Sequence, residues 1–251
     1  MATRTDGRSS DAPRAITIET NFQRFPEGSV IYSCGNTRVL ISASVEESVP
    51  NWMKGRGGGG WVTAEYEMHP RSNPHRQRRS RTRNNIDGRS SEIQRLIARS
   101  LRAAVDMKLL GERMITVDCD VLDADGGTRT ASITGGFVAL AMALDGLRKR
   151  GVVQPGVLRK EVAAISVGLV KGKHLVDLCY EEDSSAQVDL NVVATGPDEV
   201  VEVQGTAEGE PVSKKDFDAL LDAGLGAIPT LVAKQRESLA ACGVALDRLR
   251  A

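Results

Sequence analysis

The sequence predicts an α+β fold built as two duplicated two-layer β-β-α halves, with mixed sheets and packed helices. Three observations predict it. Short runs rich in β-branched residues, with a period near two, occur in sets in both halves of the chain. Each set leads to a longer run with helical spacing, and strands followed by helices are the mark of α+β architecture. The run beginning "TASITGG" is apolar nearly all round, which requires burial between layers rather than on a surface. At 251 residues the chain can bury a core as one large domain or as two closely packed halves. The division expected is a frayed tail at 1–11, a first half at 12–150 and a second half at 151–251.

The elements follow in order. "AITIET", "GSVIYSCG" and "TRVLISASVEES" read as strands, "GRGGGG" as a loop, and "WVTAEYEMHP" as a strand ending at Pro70. In "SSEIQRLIARSLRAAVDMKLLG", Ile93, Leu96, Ile97, Leu101, Ala104 and Val105 form one apolar stripe, with Ser90 or Ser91 as cap and Gly111 as stop. "RMITVDCDVLDADGG" alternates: Ile115, Val117, Cys119 and Val121 on one face, Asp118 and Asp120 on the other. The buried helix follows from near Thr130, and its Gly135 and Gly136 permit close packing. "VAAISVGLV", "KHLVDLCY", "VDLNVVATG" and "VVEVQG" form a second strand set. A last helical region over 213–242 is expected to be interrupted around Gly224, Gly226 and Pro229.

Composition excludes several classes. No stretch approaches 18 uninterrupted apolar residues, so no membrane span is expected, and the polar N-terminus lacks a secretory h-region. The four cysteines include no C-x-x-C pair, which argues against structural zinc and suits free thiols in a reducing cytoplasm. Gly55, Gly57 and Gly60 spell G-x-G-x-x-G, but no buried strand precedes them and no helix follows, so a dinucleotide site is rejected. The three histidines are scattered, and there is no G-x-S-x-G elbow. Asp118 and Asp120 read first as a solvated or hydrogen-bonded strand face.

Three clusters carry chemistry. In "DADGGTRTASITGG" a strand ends, two glycines turn the chain and a helix starts; its first N–H groups, with Gly127, Thr128 and Arg129, describe a seat for a free anion. A helix start capped for purely local reasons is the competing reading. Although net charge is zero, residues 71–86 hold six arginines and no acid. With Arg89 beyond them, they suit a nucleic-acid backbone, or else form a solvated loop. In "DLCYEEDSSAQVDLNVV", Asp183 closes one strand and Asp189 opens the next, and a hairpin would bring the two carboxylates together. Such a pair facing an anion site calls for a cation, with magnesium the usual one. Glu181 and Glu182 read as turn residues in water. A free phosphate seat, a guide for a polyphosphate chain and a carboxylate pair together imply phosphorolysis of RNA, with inorganic phosphate as co-substrate.

The segments "GWVTAEYEMHPRS", "GRSSEIQRLIARSLRAAVD", "TVDCDVLDADGGTRTASITG" and "DLCYEEDSSAQVDLNVV" strongly resemble the ribonuclease PH family, over nearly the whole chain. That resemblance implies a phosphate-dependent 3′-to-5′ exoribonuclease (a tRNA nucleotidyltransferase) that trims transfer RNA precursors and other RNA 3′ ends in the cytoplasm. It implies a homo-hexamer, a trimer of dimers. It places the phosphate site on Arg89, Gly127, Thr128 and Arg129, catalysis and magnesium on Asp183 and Asp189, and transfer RNA contacts on Arg71, Arg76 and Arg79. "GRGGGGW" is richer in glycine than the family's loop, and "MHPRS" has histidine where leucine is expected; neither touches the site. The alternative is a catalytically silent, RNA-binding ring subunit of an exosome-like complex, which should lack some of these residues.

Overall fold

The computed structural model describes residues 4–55, 57–79 and 88–250. The first sheet is built from β1 (Ile16–Thr20), β2 (Gly28–Cys34), β3 (Thr37–Glu46), β4 (Trp61–Met68) and β5 (Met114–Asp123), in the order β1-β2-β3-β5-β4. Only β4 and β5 run parallel; the other neighbours are antiparallel. Helices α1 (Gly88–Ala103), the short α2 (Met107–Leu110) and α3 (Thr128–Lys149) complete this half. The second sheet holds β6 (Ala163–Val170), β7 (Lys173–Val176), β8 (Val188–Gly196) and β9 (Glu199–Ala207), in the order β7-β6-β8-β9 and wholly antiparallel. Short α4 (Tyr180–Asp183) lies between β7 and β8, and long α5 (Lys214–Ala241) follows β9. The α+β class is therefore observed, with the mixed character confined to the first sheet.

The period-two pattern of β5 does what it requires. Ile115, Val117, Cys119 and Val121 are buried, while Asp118 and Asp120 lie on the opposite face beside Glu65 and Glu67 of β4. Helix α3 carries the fold. It packs on β2, β3 and β5 of the first sheet, on β6 of the second, and on α1 and α5. Seventeen of its residues are buried, so its apolar composition, long enough for a membrane span, belongs to a protein core. Its buried polar groups are paired, as burial demands. Thr134 Oγ1 accepts from the Ala164 N–H (3.0 Å), and Gln235 Nε2 of α5 donates to the Thr134 and Val162 carbonyls (2.9 Å each).

Four expectations are corrected. The N-terminal tail is anchored from residue 4 onward: Arg4 is 8% exposed and bonded to Glu182 (residues 1–3 lie outside the described residues). Helix α1 already runs at Gly88, so Ser90 and Ser91 lie within it and do not cap it. Helix α5 is continuous through Gly224 and Pro229. Gly224 is there for proximity, since a Cβ would come 2.9 Å from Val192 Cγ2. Pro229 forfeits one helical hydrogen bond, which burial of Ile228, Leu231 and Val232 around it offsets. Finally, "KHLVDLCY" is a strand only to Val176; Asp183 closes the helical turn α4. Because β6 separates β7 from β8, Asp183 and Asp189 are not joined by a hairpin.

The two central glycines of α3 are not equivalent. A Cβ on Gly135 would lie 2.5 Å from Ile41 Cδ1 and 2.9 Å from Tyr32 Cβ, whereas on Gly136 the nearest atom is 3.4 Å away. We expect Gly135→Ala to destabilise by about 1–3 kcal/mol through overpacking. Gly136→Ala should be neutral or stabilising by up to about 1 kcal/mol through helix propensity. Urea denaturation of the two variants measures the difference, and equal values would contradict this packing.

Candidate active site

The site begins at the turn that joins β5 to α3. Gly126 (φ 73°) and Gly127 (φ 66°) both occupy left-handed backbone, where a side chain is strained. Gly127 caps α3 with no side-chain hydrogen bond, and the first turn contains no acid. The positive end of a 22-residue helix is thus presented without a side-chain anion of its own. Thr128 and Arg129 are the first two helical residues and are half-buried. The Thr128 hydroxyl is hydrogen-bonded to Tyr66 Oη on β4 (2.8 Å). Arg129 lies 3.7 Å from Glu92 of α1, which brings the starts of the two helices together.

Arg89, in the first turn of α1, completes a cationic pair with Arg129. Both guanidinium groups act electrostatically on the Tyr66 hydroxyl and on the Asp183 carboxylate. Arg89 and Arg129 are thus near enough to act on both Tyr66, the partner of Thr128, and Asp183. The Asp183 carboxyl is pushed above the ordinary carboxylate range, first by loss of water and then by the negative charge of Asp189, with Arg89 and Arg129 pulling it back. Burial likewise raises the Tyr66 hydroxyl, opposed by Thr128 and the two arginines. Asp189 stands on β8, paired with Gly168 of β6 and Thr206 of β9. The structure therefore brings the two carboxylates together by sheet geometry and a helical turn.

The halves are joined at this point by an ion pair. Arg14 donates to Asp177 from its Nε (2.8 Å), its Nη2 (2.7 Å) and its backbone N–H (2.7 Å), with both side chains buried. The same guanidinium donates to the Asp125 and Gly126 carbonyls (2.5 and 3.4 Å). Thr37 Oγ1 donates to the Gly126 carbonyl (2.7 Å) and accepts from the Asp125 N–H (2.9 Å). Asp125 in turn accepts from Asn36 Nδ2 and from the Tyr180 N–H (3.1 Å each). A second buried pair holds α4: Arg4 Nε and Nη2 donate to Glu182 at 2.8 and 2.6 Å, and Glu182 Oε2 accepts from the Cys179 N–H (3.1 Å). Glu182 is therefore a buried strut and not a turn residue in water; Glu181 is exposed. Burial alone would raise both carboxyls, but Arg14 holds Asp177, and Arg4 holds Glu182, below the usual range.

Arg71, Arg76 and Arg79 lie in an exposed segment leaving β4. Its root is tied to the glycine turn, since the Ala124 N–H donates to the Ser72 carbonyl (2.9 Å). The rest of the arginine segment, residues 80–87 with Arg81 and Arg83, lies outside the described residues. Sequence reasoning missed Tyr66, Arg14, Asp177, Glu182 and Arg4. Their partners are 62 to 178 residues distant, and no local spacing signals such contacts.

Comparison with known proteins places these residues in a wider set. A profile of the 3′ exoribonuclease family, domain 1, matches residues 12–144, and its domain 2 matches residues 160–227. The fold matches an Archaeoglobus fulgidus exosome with RNA bound to the active site (TM-score 0.75, 25% identity, 92% of each chain). It matches an archaeal exosome core (0.72, 26%, 93% of this chain and 91% of that one). Rice (Oryza sativa) Rrp46 shares the fold at 17% identity and TM-score 0.75, over 94% of this chain and all of the other.

Asp177→Asn should cost about 3–5 kcal/mol in urea denaturation, because it leaves Arg14 buried without a counter-charge. The pH dependence has a definite sign. The depressed Asp177 and Glu182 contribute stability that is complete above roughly pH 5 and lost as pH falls through their lowered values. Raised Asp183 acts oppositely, its ionisation costing stability as pH rises. Thermal melts between acid and neutral pH should show a steep acid loss in the wild type and a shallower one in Asp177→Asn.

Proposed function

The chain belongs to the ribonuclease PH (3′ exoribonuclease) family, and from that premise we propose that it is a phosphorolytic 3′-to-5′ exoribonuclease of the cytoplasm. Its substrates are the 3′ ends of transfer RNA precursors and other RNA; inorganic phosphate is the co-substrate, and the working form is a homo-hexamer, a trimer of dimers. The observation that carries this reading is that Arg129, at the α3 N-terminus, and Arg89 both act on the Asp183 carboxylate. A hydrolase has no use for a second anion seat beside its carboxylates.

In this reading hydrogenphosphate sits against the first-turn N–H groups of α3, the Thr128 hydroxyl and the forks of Arg89 and Arg129. One of its oxygens attacks the terminal phosphodiester phosphorus. The bond from phosphorus to the penultimate 3′ oxygen breaks. The proton of hydrogenphosphate ends on that leaving oxygen, and a nucleoside diphosphate is released. Charge and protons balance without an external base, consistent with a site that uses no histidine. The difficulty is bringing anions together: two unit charges about 4 Å apart repel by about 4 kcal/mol at an effective dielectric of 20. Arg89, Arg129 and the helix terminus offset that repulsion, so catalysis is positioning plus electrostatics. The exposed Arg71, Arg76 and Arg79 suit backbone phosphates of transfer RNA, which give affinity without reading sequence.

The donor set also fits magnesium. The charge of Asp189 acts against ionisation of Asp183, an opposition that a cation between the two would relieve. Among the described residues no cluster of three or more His, Cys, Asp or Glu encloses a metal alone. An ion held by one or two carboxylates, with water and phosphate oxygens in its other positions, is the magnesium pattern. Bound there it would neutralise charge on the phosphoryl oxygens.

A catalytically silent subunit of an exosome-like ring is the second reading, favoured by the structural matches to exosome proteins. Against it, Arg89, Gly127, Thr128, Arg129, Asp183 and Asp189 are all present. Digestion of a 3′-labelled RNA with and without inorganic phosphate separates the two. We expect nucleoside diphosphates, only with phosphate, and a phosphate KM raised about ten- to hundredfold in Arg89→Ala. No digestion at all would favour the silent subunit, and monophosphates without phosphate would indicate hydrolysis. Asp189→Asn should lower kcat by about a hundredfold or more with RNA binding retained. It should also remove a magnesium-induced rise in melting temperature seen in the wild type.

A further inference from the structure

Tyr180 is an aromatic ring left 65% exposed on one of the most firmly held pieces of backbone near the site. Its N–H donates to Asp125 Oδ1 (3.1 Å) and its carbonyl accepts from the Ser184 N–H (2.9 Å). The glycine turn packs directly on it: a Cβ on Gly126 would lie 3.0 Å from the Tyr180 nitrogen. The buried Arg4–Glu182 pair fixes α4 from the other side. Tyr180 also precedes Asp183 by three residues on α4, a spacing that puts side chains on one face with Cβ atoms about 5–6 Å apart. A fixed backbone, an open ring and a carboxylate of the site thus share one helical face.

We infer that Tyr180 is the stacking platform for the nucleobase at the 3′ end of the bound strand. This inference rests on the nucleotide-chain reading above and deepens it. The groups that act on Asp183, three residues from the ring on the same turn, are cations suited to phosphate and a second carboxylate suited to a divalent ion. The ligand that joins phosphates to a flat π-face within one residue is a nucleotide. The phosphate seat holds the attacking anion, so the terminal sugar and base of the strand need a restraint of their own. A ring at the rim supplies it, and because every base has a π-face it tolerates all four. An enzyme that removes successive residues needs that tolerance. A rigid platform also loses little freedom on binding, so stacking appears as affinity.

The test compares adenosine monophosphate with ribose 5-phosphate, which differ only in the base, by calorimetric titration. The wild type should bind the nucleotide about five- to hundredfold more tightly. In Tyr180→Ala that ratio should fall towards one with ribose 5-phosphate affinity unchanged, and Tyr180→Phe should keep it. In turnover, Tyr180→Ala should raise the KM for RNA by a similar factor and leave the KM for phosphate unaltered. An undiminished ratio in Tyr180→Ala overturns the platform. So does equal loss in Tyr180→Phe, which would assign the effect to the hydroxyl. If the wild type released monophosphates, the phosphorolysis reading would fail while the ligand ratio still decided the role of Tyr180.

Discussion

The buried pair between Arg14 and Asp177 is the constraint on which the site depends. Arg14 enters from the segment just before β1, and Asp177 from just past the end of β7 in the second half. Neither group is stable alone in the interior, so the pair has to form as a unit and brings the halves into register. The guanidinium spends its remaining donors on the carbonyls of Asp125 and Gly126. It therefore sets the position of the glycine turn relative to α4, and with it the distance from the α3 N-terminus to Asp183. Asp177 itself sits at φ 57°, an uncommon conformation for a residue with a side chain. Three hydrogen bonds from Arg14 hold it there.

The electrostatics of the site divide cleanly between structure and chemistry. Arg4, Arg14, Asp177 and Glu182 satisfy one another and are buried, so they contribute geometry. Arg89, Arg129, Asp183 and Asp189 are at least partly exposed, and the Asp189 charge and the two guanidinium groups act on the Asp183 carboxyl in opposite directions. In the reading proposed above, an anion against the arginines and a cation between the aspartates would relieve that opposition.

Much of this was legible along the chain. Local periodicity located most strands and α1, the all-apolar run identified α3 as a core helix, and "DADGGTRT" marked the glycine turn and helix start between β5 and α3. Errors fell where tertiary context overrode local chemistry. Gly224 and Pro229 read as breakers, but α5 runs unbroken through both, packed on β6 and β8. Residues 4–11 read as a tail because polar composition signals solvent, yet Arg4 is polar in order to meet a buried carboxylate. Glu182 was misread for the same reason: an ion pair cannot be seen from one of its members.

What the sequence by itself determined is the inventory: the fold class, the position of the glycine turn before α3, and the identity of the arginines and aspartates that carry charge. Those follow from properties of neighbours in the chain, namely spacing, backbone freedom and side-chain chemistry. The tertiary structure alone decided which members of that inventory are neighbours. It placed Asp183 on a helical turn and Asp189 on a strand that is not its hairpin partner, and it set both before the α3 terminus. The reason is physical: carboxylates and guanidinium groups far apart in sequence meet only when buried counter-charges, Arg14 with Asp177 and Arg4 with Glu182, tie the two halves together.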